Sequence, residues 1–542
     1  MKETGFPVLD RTKFLFNLDN VSLWDIIIIG GGATGLGAAL DSASRGFKTL
    51  LLEQSDFAKC TSSRSTKLVH GGVRYLAQGN LALVYEALRE RGYLLKNAPH
   101  VVKKQSFIIP CYNWKSKWKY LSGLKIYDWM SGLYSFGKSE FLSKEKVLKL
   151  LPDVNPQNLI GGIKYFDGQF DDARLAINLA QTCAEQGGTL LNYFKVTGLL
   201  KDEDGKINGL RALDVESTKE YSINCKAIIN ATGVFVDDIL NMDLPLRKPL
   251  VRPSQGVHLV VDQSFMRGNS ALLIPKTSDG RVLFAVPWHN HVLLGTTDTP
   301  IQKSSLEPLA LEEEIDFILD TAGRYLTSKP KREDVLSVFA GLRPLAASED
   351  TNDKTKEISR SHKIVVSKSG LITITGGKWT TYRKMAEDVI DRAIKQVGLS
   401  KKTCSTSSLK IHGFEISEQE NFLSIYGSDQ TFILDLIKDD PRLDEKLHSR
   451  LPYIAAEVVW AVRNEMARTL EDVLARRLRA LFLDANASID MAPRVAEIMA
   501  AELNYDSAWQ SGQVKQFEDL AKHYCLTPYR SEKSFPLTSN NI

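Results

Sequence analysis

The chain has 542 residues, with 69 Lys and Arg against 65 Asp and Glu, a net charge of +4. That balance gives no support to a nucleic-acid partner, and the length suffices for two or three domains with sizeable cores. Six cysteines (Cys60, Cys111, Cys183, Cys225, Cys404, Cys525) are scattered without a C-x-x-C pair, which speaks against a zinc site or disulfide framework and fits a reducing compartment.

Residues 1–20 read as a lead-in arm. Lys2, Glu3, Asp10, Arg11 and Lys13 leave no apolar core for a secretory signal, so a cytoplasmic location is expected. The strongest pattern follows: Trp24-Asp25-Ile26-Ile27-Ile28-Ile29-Gly30-Gly31-Gly32-Ala33-Thr34-Gly35. Four isoleucines predict a strand buried on both faces, since β-branched side chains suit a parallel strand. Gly30, Gly32 and Gly35 predict a tight turn into a helix whose N-terminus receives a pyrophosphate. A second strand, Thr49-Leu50-Leu51-Leu52, ends at Glu53, 23 positions after Gly30. That is close to the roughly 20 expected for a carboxylate gripping an adenosine ribose. Strand, glycines, helix, strand and acid together predict a dinucleotide site; a glycine-rich turn in an empty α/β unit is the plain alternative.

Further along, Leu81, Val84, Leu88 and Leu95 predict a helix that ends before Pro99. Residues 112–136 carry eight aromatic rings, including Trp114, Trp118 and Trp129, among Lys115, Lys117, Lys119 and Lys125. Trp114, Trp118, Leu121 and Leu124 have helical spacing. Rings with lysines suit a bilayer interface; the plain reading is a helix packed on its own lobe. Helical spacing runs from Asp172 to Gln186. Asp202-Glu203-Asp204-Gly205 predicts a hairpin rather than a calcium loop, because Lys206 and Val215 fall where ligands are required. Lys226 to Gly233 is a strand ending in a small-residue turn, placed to close over the same nucleotide. A hairpin is expected around His289-Asn290, and a strand pair over 364–375. Gly376-Gly377-Lys378 then opens a helix through about Gln396. Beyond Lys401 helical pattern dominates, over 417–437, 454–467, 469–482, 491–503 and 514–523. The nucleotide fold is thus assembled from three distant pieces, 21–75, 190–235 and 364–396. Flavoproteins of the two-lobed kind interrupt their nucleotide fold in this way.

A second constellation follows Glu53: Cys60-Thr61-Ser62-Ser63-Arg64-Ser65-Thr66-Lys67-Leu68-Val69-His70-Gly71-Gly72-Val73-Arg74-Tyr75. Hydroxyls and cations between glycines suit phosphate oxygens and a flavin's polar edge; a Ser/Thr-rich capping loop is the bland reading. With Gln255-Gly256-Val257-His258, Gly295-Thr296-Thr297-Asp298-Thr299, Gly341-Leu342-Arg343-Pro344-Leu345 and Gly376-Gly377-Lys378-Trp379-Thr380-Thr381-Tyr382-Arg383, it closely resembles the FAD-dependent glycerol-3-phosphate dehydrogenases, within the D-amino-acid-oxidase-like flavoproteins. The likeness continues into the helical tail at Glu457, Thr469 to Leu474, Arg476 and Arg477, so it spans most of the chain. Thr66 takes a place usually held by serine, and Trp379 one where a smaller residue is common.

The resemblance implies a mixed α/β and α+β fold: a two-lobed FAD-binding Rossmann-like domain over 1–400, an antiparallel-sheet substrate lobe, and a C-terminal helical domain over 401–542. The FAD pieces would lie at about 21–110, 190–250 and 340–400, the substrate pieces at about 111–189 and 251–339. It implies oxidation of sn-glycerol 3-phosphate to dihydroxyacetone phosphate, hydride passing from C2 to flavin N5 and electrons then to membrane quinone. A noncovalent FAD, a position on the inner face of the cell membrane and a possible homodimer belong to the same expectation. A dianionic phosphate ester calls for forked cations, and Arg74, Arg343 and Arg360 sit beside motifs resembling the family's active-site segments. His258 is the first candidate for the base, because imidazole titrates near working pH. Lys378 is a second, through desolvation beside arginines. For the cofactor, Gly30, Gly32, Gly35 and Glu53 are expected at the adenosine diphosphate end. Ser63, Thr66, Lys67, Leu68 and Gly72 are expected from pyrophosphate to flavin, with His70 beside the ring. Val196 is placed on the adenine, Ala231 and Gly233 on that side, and Gly377, Lys378 and Thr380 at a helix N-terminus facing the flavin's electron-rich edge. Competing readings are an oxidase using O2, disfavoured by the lack of a sizeable insertion, an amine or amino-acid oxidase, disfavoured by the arginine set, and a non-catalytic flavin-binding scaffold.

Overall fold

A computed structural model describes residues 7–76, 80–244, 248–275, 277, 280–347, 362–416 and 421–527. Arg360 and the side chains of Arg74 and Tyr75 lie outside the described residues. The isoleucine run forms the strand Trp24–Ile29 at the centre of an eight-stranded sheet. It pairs in parallel with Thr49–Leu52 on one side and Glu220–Asn230 on the other. Thr189–Leu191 and Ile372–Gly376 extend the parallel core outward, and His362–Val366 closes one edge antiparallel. The hairpin Phe194–Lys201 and Ile207–Asp214 attaches antiparallel to the start of Glu220–Asn230, with the acidic turn between its strands. Ile26, Ile27 and Ile28 are fully buried, since helices Ala33–Ser44 and Tyr382–Val397 pack together on this sheet. Three stretches distant in sequence, 24–52, 189–230 and 362–376, thus meet in one sheet.

The second sheet has ten strands and is antiparallel apart from the pairing of Ala271–Ile274 with Val102–Cys111. Its longest ladder joins Val251–Asp262 to Val335–Ala346, setting His258 opposite Phe339 and Ser254 opposite Arg343. Period-2 alternation puts these pairs on opposite sides of the sheet's mid-plane from their neighbours. The helical region after residue 400 packs on this sheet through Leu474, Leu481 and Phe482 in one continuous apolar cluster with Phe339 and Val260.

Four expectations change. The lead-in arm is in part a helix, Arg11–Asn20, capped by the Asp10 carboxylate. Phe14 and Leu18 bury its inner face, and Arg11 donates to Asp214 at 2.7 Å. The single helix expected over 469–482 is broken: Asp472–Arg477 is a π-helical turn, Arg479 is left-handed at φ 68°, and a short helix follows at Ala480–Leu483. Part of the expected 417–437 helix, residues 417–420, lies outside the described residues; the remainder is a 3-10 segment, Ser424–Asp429, and the helix Gln430–Asp439. The last two helices start earlier than their apolar spacing suggested, at Ala485 and Ser507, where Asp484 and Asp506 cap them.

Candidate active site

The turn after the first strand is shaped by close backbone approach. Gly30 has φ +110°, and a Cβ there would lie 2.8 Å from the Ala231 carbonyl oxygen. A Cβ on Gly35 would sit 1.8 Å from the carbonyl oxygen of Gly30, so the helix passes over the strand end only as glycine. Glu53 accepts the Gly31 N–H at 2.6 Å and the Ser55 N–H at 2.9 Å, and burial raises its pKa. A cavity of about 420 Å³ opens along this edge. Gly30, Gly32, Glu53, Val196, Ala231, Gly233, Gly377 and Lys378 all line it, drawn from four strand ends and a helix start.

Ser62, which sequence reasoning passed over for Ser63, is the hydroxyl at the helix N-terminus: its Oγ accepts the Ala33 N–H at 2.9 Å. Ser63 is turned inward, its hydroxyl toward the Cys60 carbonyl at 3.4 Å. A run of adjacent hydroxyls does not reveal which one the 3-10 turn they form, Thr61–Ser63, presents. Trp379 lines the cavity and donates to the Ser62 carbonyl at 2.8 Å. Thr380 is buried and accepts the His70 N–H at 3.2 Å, joining the helix start to the strand Leu68–Val69. Leu68 packs in the core of the second sheet, and Gly72 takes a left-handed φ of 79°.

Lys67 is a correction. Its side chain is fully buried and turned from the cavity: the ammonium donates to Asp172 Oδ2 at 2.7 Å and to the Ser63 carbonyl at 2.8 Å. Burial pushes its pKa down to about 7. Its place is inside the protein, not on a phosphate.

On the second sheet, Arg343 Nη1 donates to the Gln255 carbonyl at 3.1 Å, and Nη2 to Thr296 Oγ1 at 3.1 Å and the Thr297 carbonyl at 3.0 Å. Asp298 lies 3.4 Å from Nη1. Gly256 makes room, since a Cβ there would be 2.2 Å from Arg343 Nη2. His258 Nε2 is 2.9 Å from Thr66 Oγ1, and its ring stacks on Phe339 with centroids 5.0 Å apart. Among the described residues, its Nδ1 is buried without a hydrogen-bond partner. Burial, then Lys67 and Arg343, hold its pKa well below the ordinary imidazole value. The expectation that His258 titrates near working pH is therefore corrected: the ring is neutral there, because a buried imidazolium facing two cations is disfavoured. Arg74 and Arg360 fall outside what the structure describes at side-chain level.

The family described as FAD dependent oxidoreductase matches residues 25–383, and that described as the C-terminal domain of alpha-glycerophosphate oxidase matches residues 368–510. The mitochondrial glycerol-3-phosphate dehydrogenase of Mesocricetus auratus is 39% identical over 96% of this chain and 76% of its own length. That of Schizosaccharomyces pombe is 38% identical over 93% and 88%. The chain belongs to the FAD-dependent glycerol-3-phosphate dehydrogenases. A solved glycerol-3-phosphate dehydrogenase from Bacillus halodurans complexed with FAD covers 97% of the chain and is itself covered fully, at 30% identity and a TM-score of 0.78.

FAD is accordingly the dehydrogenase's cofactor, and the residues fit it. Gly30 and Gly32 leave a cradle without side chains at the helix N-terminus, Glu53 offers a carboxylate at the strand end, and Gly377 (φ +76°) begins the opposite wall. The mixed fold expected from the resemblance is the observed one. Among the described residues no group of His, Cys, Asp and Glu is arranged to hold a metal ion.

The aromatic segment is the helix Trp114–Ser131. Trp114, Trp118 and Trp129 are 61%, 65% and 82% exposed, while Leu124 is buried. The predicted stripe is therefore split between two faces. Lys117 lies 4.6 Å from the Trp114 ring centroid and 5.6 Å from that of Trp118. Among the described residues no helix is long and apolar enough to cross a membrane.

Proposed function

We propose that this dehydrogenase oxidises sn-glycerol 3-phosphate to dihydroxyacetone phosphate and delivers the electrons to a membrane quinone. The observation that carries the reading is the placement of Arg343 and His258 on the second sheet, with the loop residue Thr66 against the imidazole, beside a cavity walled by the nucleotide-binding glycines and Gly377-Lys378. FAD, when bound, supplies the hydride acceptor for the substrate's C2 hydrogen. Gly30, Gly32, Glu53 and Ser62 would hold its adenosine diphosphate end, Val196, Ala231 and Gly233 the adenine side, and Gly377, Lys378 and Thr380 the end facing the substrate.

Arg343 is held in a fork by three backbone or hydroxyl oxygens, so it is positioned before substrate arrives. Arg74 and Arg360 are the further candidates for the phosphate. Neutral His258 retains a lone pair for the proton of the C2 hydroxyl, and a dianionic phosphate beside it raises its basicity by opposing the field of Lys67 and Arg343. Lys378, on the opposite wall, orients the hydroxyl oxygen. The exposed tryptophans and lysines of Trp114–Ser131 suit an anionic bilayer surface. That arrangement supports a peripheral site on the inner face of the cell membrane, where quinone is available.

Anaerobic addition of glycerol 3-phosphate to the yellow holoenzyme is expected to bleach the flavin absorbance near the ordinary flavin band, and unchanged colour defeats the substrate assignment. One relationship favours a second acceptor: the C-terminal match is to an oxidase domain. Stopped-flow mixing of the reduced protein with air-saturated buffer or with a short-chain quinone separates the two. Quinone is expected to be the faster oxidant.

A further inference from the structure

Behind His258, a buried chain of contacts runs away from the substrate side into the helical region. Thr66 Oγ1 meets His258 Nε2. The residues on either side of Thr66 are both fixed to one carboxylate: Ser65 donates through N–H (3.0 Å) and Oγ (2.7 Å), and Lys67 through Nζ (2.7 Å), all to Asp172 Oδ2. Arg479 then spans two parts of the same assembly with one nitrogen. Its Nη2 donates to the Ser63 carbonyl at 2.9 Å and to Asp172 Oδ1 at 3.1 Å. Asp172, Lys67 and Arg479 are all almost completely buried. The Arg479 guanidinium lies 4.5 Å from the Phe482 ring centroid and 5.4 Å from that of Trp288.

The backbone shows the same design from both sides. Lys67 (φ 61°) and Arg479 (φ 68°) are non-glycine residues in the left-handed region, and they converge on one carboxylate. Such conformations cost free energy and persist where the surroundings over-determine them, often at working sites. Arg479 also lies two residues after the π-helical turn Asp472–Arg477, a rare element with the same association. The wider turn sends Arg476 and Arg477 onto Asp56, just after Glu53, while Arg479 reaches Ser63. The loop that begins at the ribose carboxylate and ends at Thr66 is thereby tied at both ends to the helical region.

We propose that Arg479 is a positioning residue for proton transfer at His258: from the helical region it fixes the 63–67 loop, and with it the Thr66 hydroxyl against the imidazole. Lys67 Nζ bridges the same carbonyl and carboxylate from within the loop; Arg479 adds a second bridge anchored in the helical region, and a guanidinium keeps its charge when buried where an ammonium readily loses its proton. The inference rests on His258 being the proton acceptor for glycerol 3-phosphate.

The test uses purified holoenzyme of wild type, Arg479→Met, Arg479→Lys and Ser65→Ala. The last removes only a hydroxyl from the Asp172 cluster and leaves no buried charge unpaired. FAD content and circular dichroism are recorded, then the limiting rate of anaerobic flavin reduction by glycerol 3-phosphate and its half-saturating concentration. A displaced base is expected to lower the limiting rate about tenfold to hundredfold in Arg479→Met and by less in Arg479→Lys. Ser65→Ala should lower it about threefold or more, with half-saturation moving less than about threefold in every variant. Limiting rates per bound flavin within about twofold of wild type in Ser65→Ala and in whichever Arg479 variant folds overturn the proposal, as does a change confined to half-saturation. A wild-type flavin that glycerol 3-phosphate fails to reduce marks failure of the substrate reading instead, and takes this inference with it.

Discussion

Single atoms decide much of this site. Gly256 lies two positions along its strand from Ser254, the residue opposite Arg343, and a methyl group there would overlap a guanidinium nitrogen at 2.2 Å. Gly256→Ala is therefore expected to fold, because the glycine's φ is not in the left-handed region, yet to push Arg343 from its fork. A loss of about tenfold to hundredfold in kcat/KM for glycerol 3-phosphate is predicted, expressed largely in KM if Arg343 binds the phosphate in ground and transition states alike. Steady-state kinetics with an artificial electron acceptor measure both. Sequence reasoning named Arg343 and His258 from their motifs, but could not foresee that burial and two neighbouring cations keep the imidazole neutral. Nor could it separate Ser62 from Ser63. Both depend on atoms contributed by segments hundreds of residues away.

Elements with strong local patterns were legible. The run of isoleucines, the hairpin at His289-Asn290 and the amphipathic helix Tyr382–Val397 form as their periodicities indicate. The broken segment at 472–483 was not, because a π turn followed by a left-handed arginine leaves the same apolar spacing as a continuous helix; the distant buried carboxylates of Asp56 and Asp172 select it. The helix Trp114–Ser131 is a different case. Its sequence has aromatic residues all round, and the structure shows which of them remain outside: Trp114, Trp118 and Trp129. Lys117 against the first two rings adds a cation to the same patch. The variant with Trp114 and Trp118 both changed to Ala is predicted to float less with anionic liposomes than the parent, while reducing an artificial acceptor at the parental rate. Equal flotation removes the bilayer reading of this face.

Across the whole molecule, ionic contacts join the helical region to the loop after Thr49–Leu52 and to the helix Asp172–Glu185. Arg476 and Arg477 meet Asp56, Arg174 meets Glu465, and Arg479 meets Asp172. Removing one partner of such a pair leaves a buried charge without compensation, so these contacts fix one relative placement of the parts. His412 is the titratable joint among them, with Nδ1 2.9 Å from Glu185 and Nε2 2.8 Å from Asp429. Its pKa is pushed up to about 9 by these two carboxylates against the opposing effect of burial. A raised folded-state pKa means that the protonated ring binds more tightly in the native state. The contribution is complete below the unfolded value near 6.5 and fades as pH climbs toward 9. Its ceiling is about 3 kcal/mol, at roughly 1.4 kcal/mol per unit. His412→Gln should accordingly lower the melting temperature most at pH 6, and the gap from wild type should narrow by pH 9.5; a pH-independent gap contradicts the linkage.

By itself the sequence determined the local chemistry: where backbone must come close, where a carboxylate ends a strand, and which stretches are strand or helix. These follow from side-chain shape and spacing within a few residues. The tertiary structure decided which hydroxyl faces the helix N-terminus, the charge state of His258, the inward turn of Lys67 and the break at Arg479. Each is an energy of burial or of a charge pair between residues far apart in the chain, and such an energy exists only once the two sheets and the helical region have been brought together.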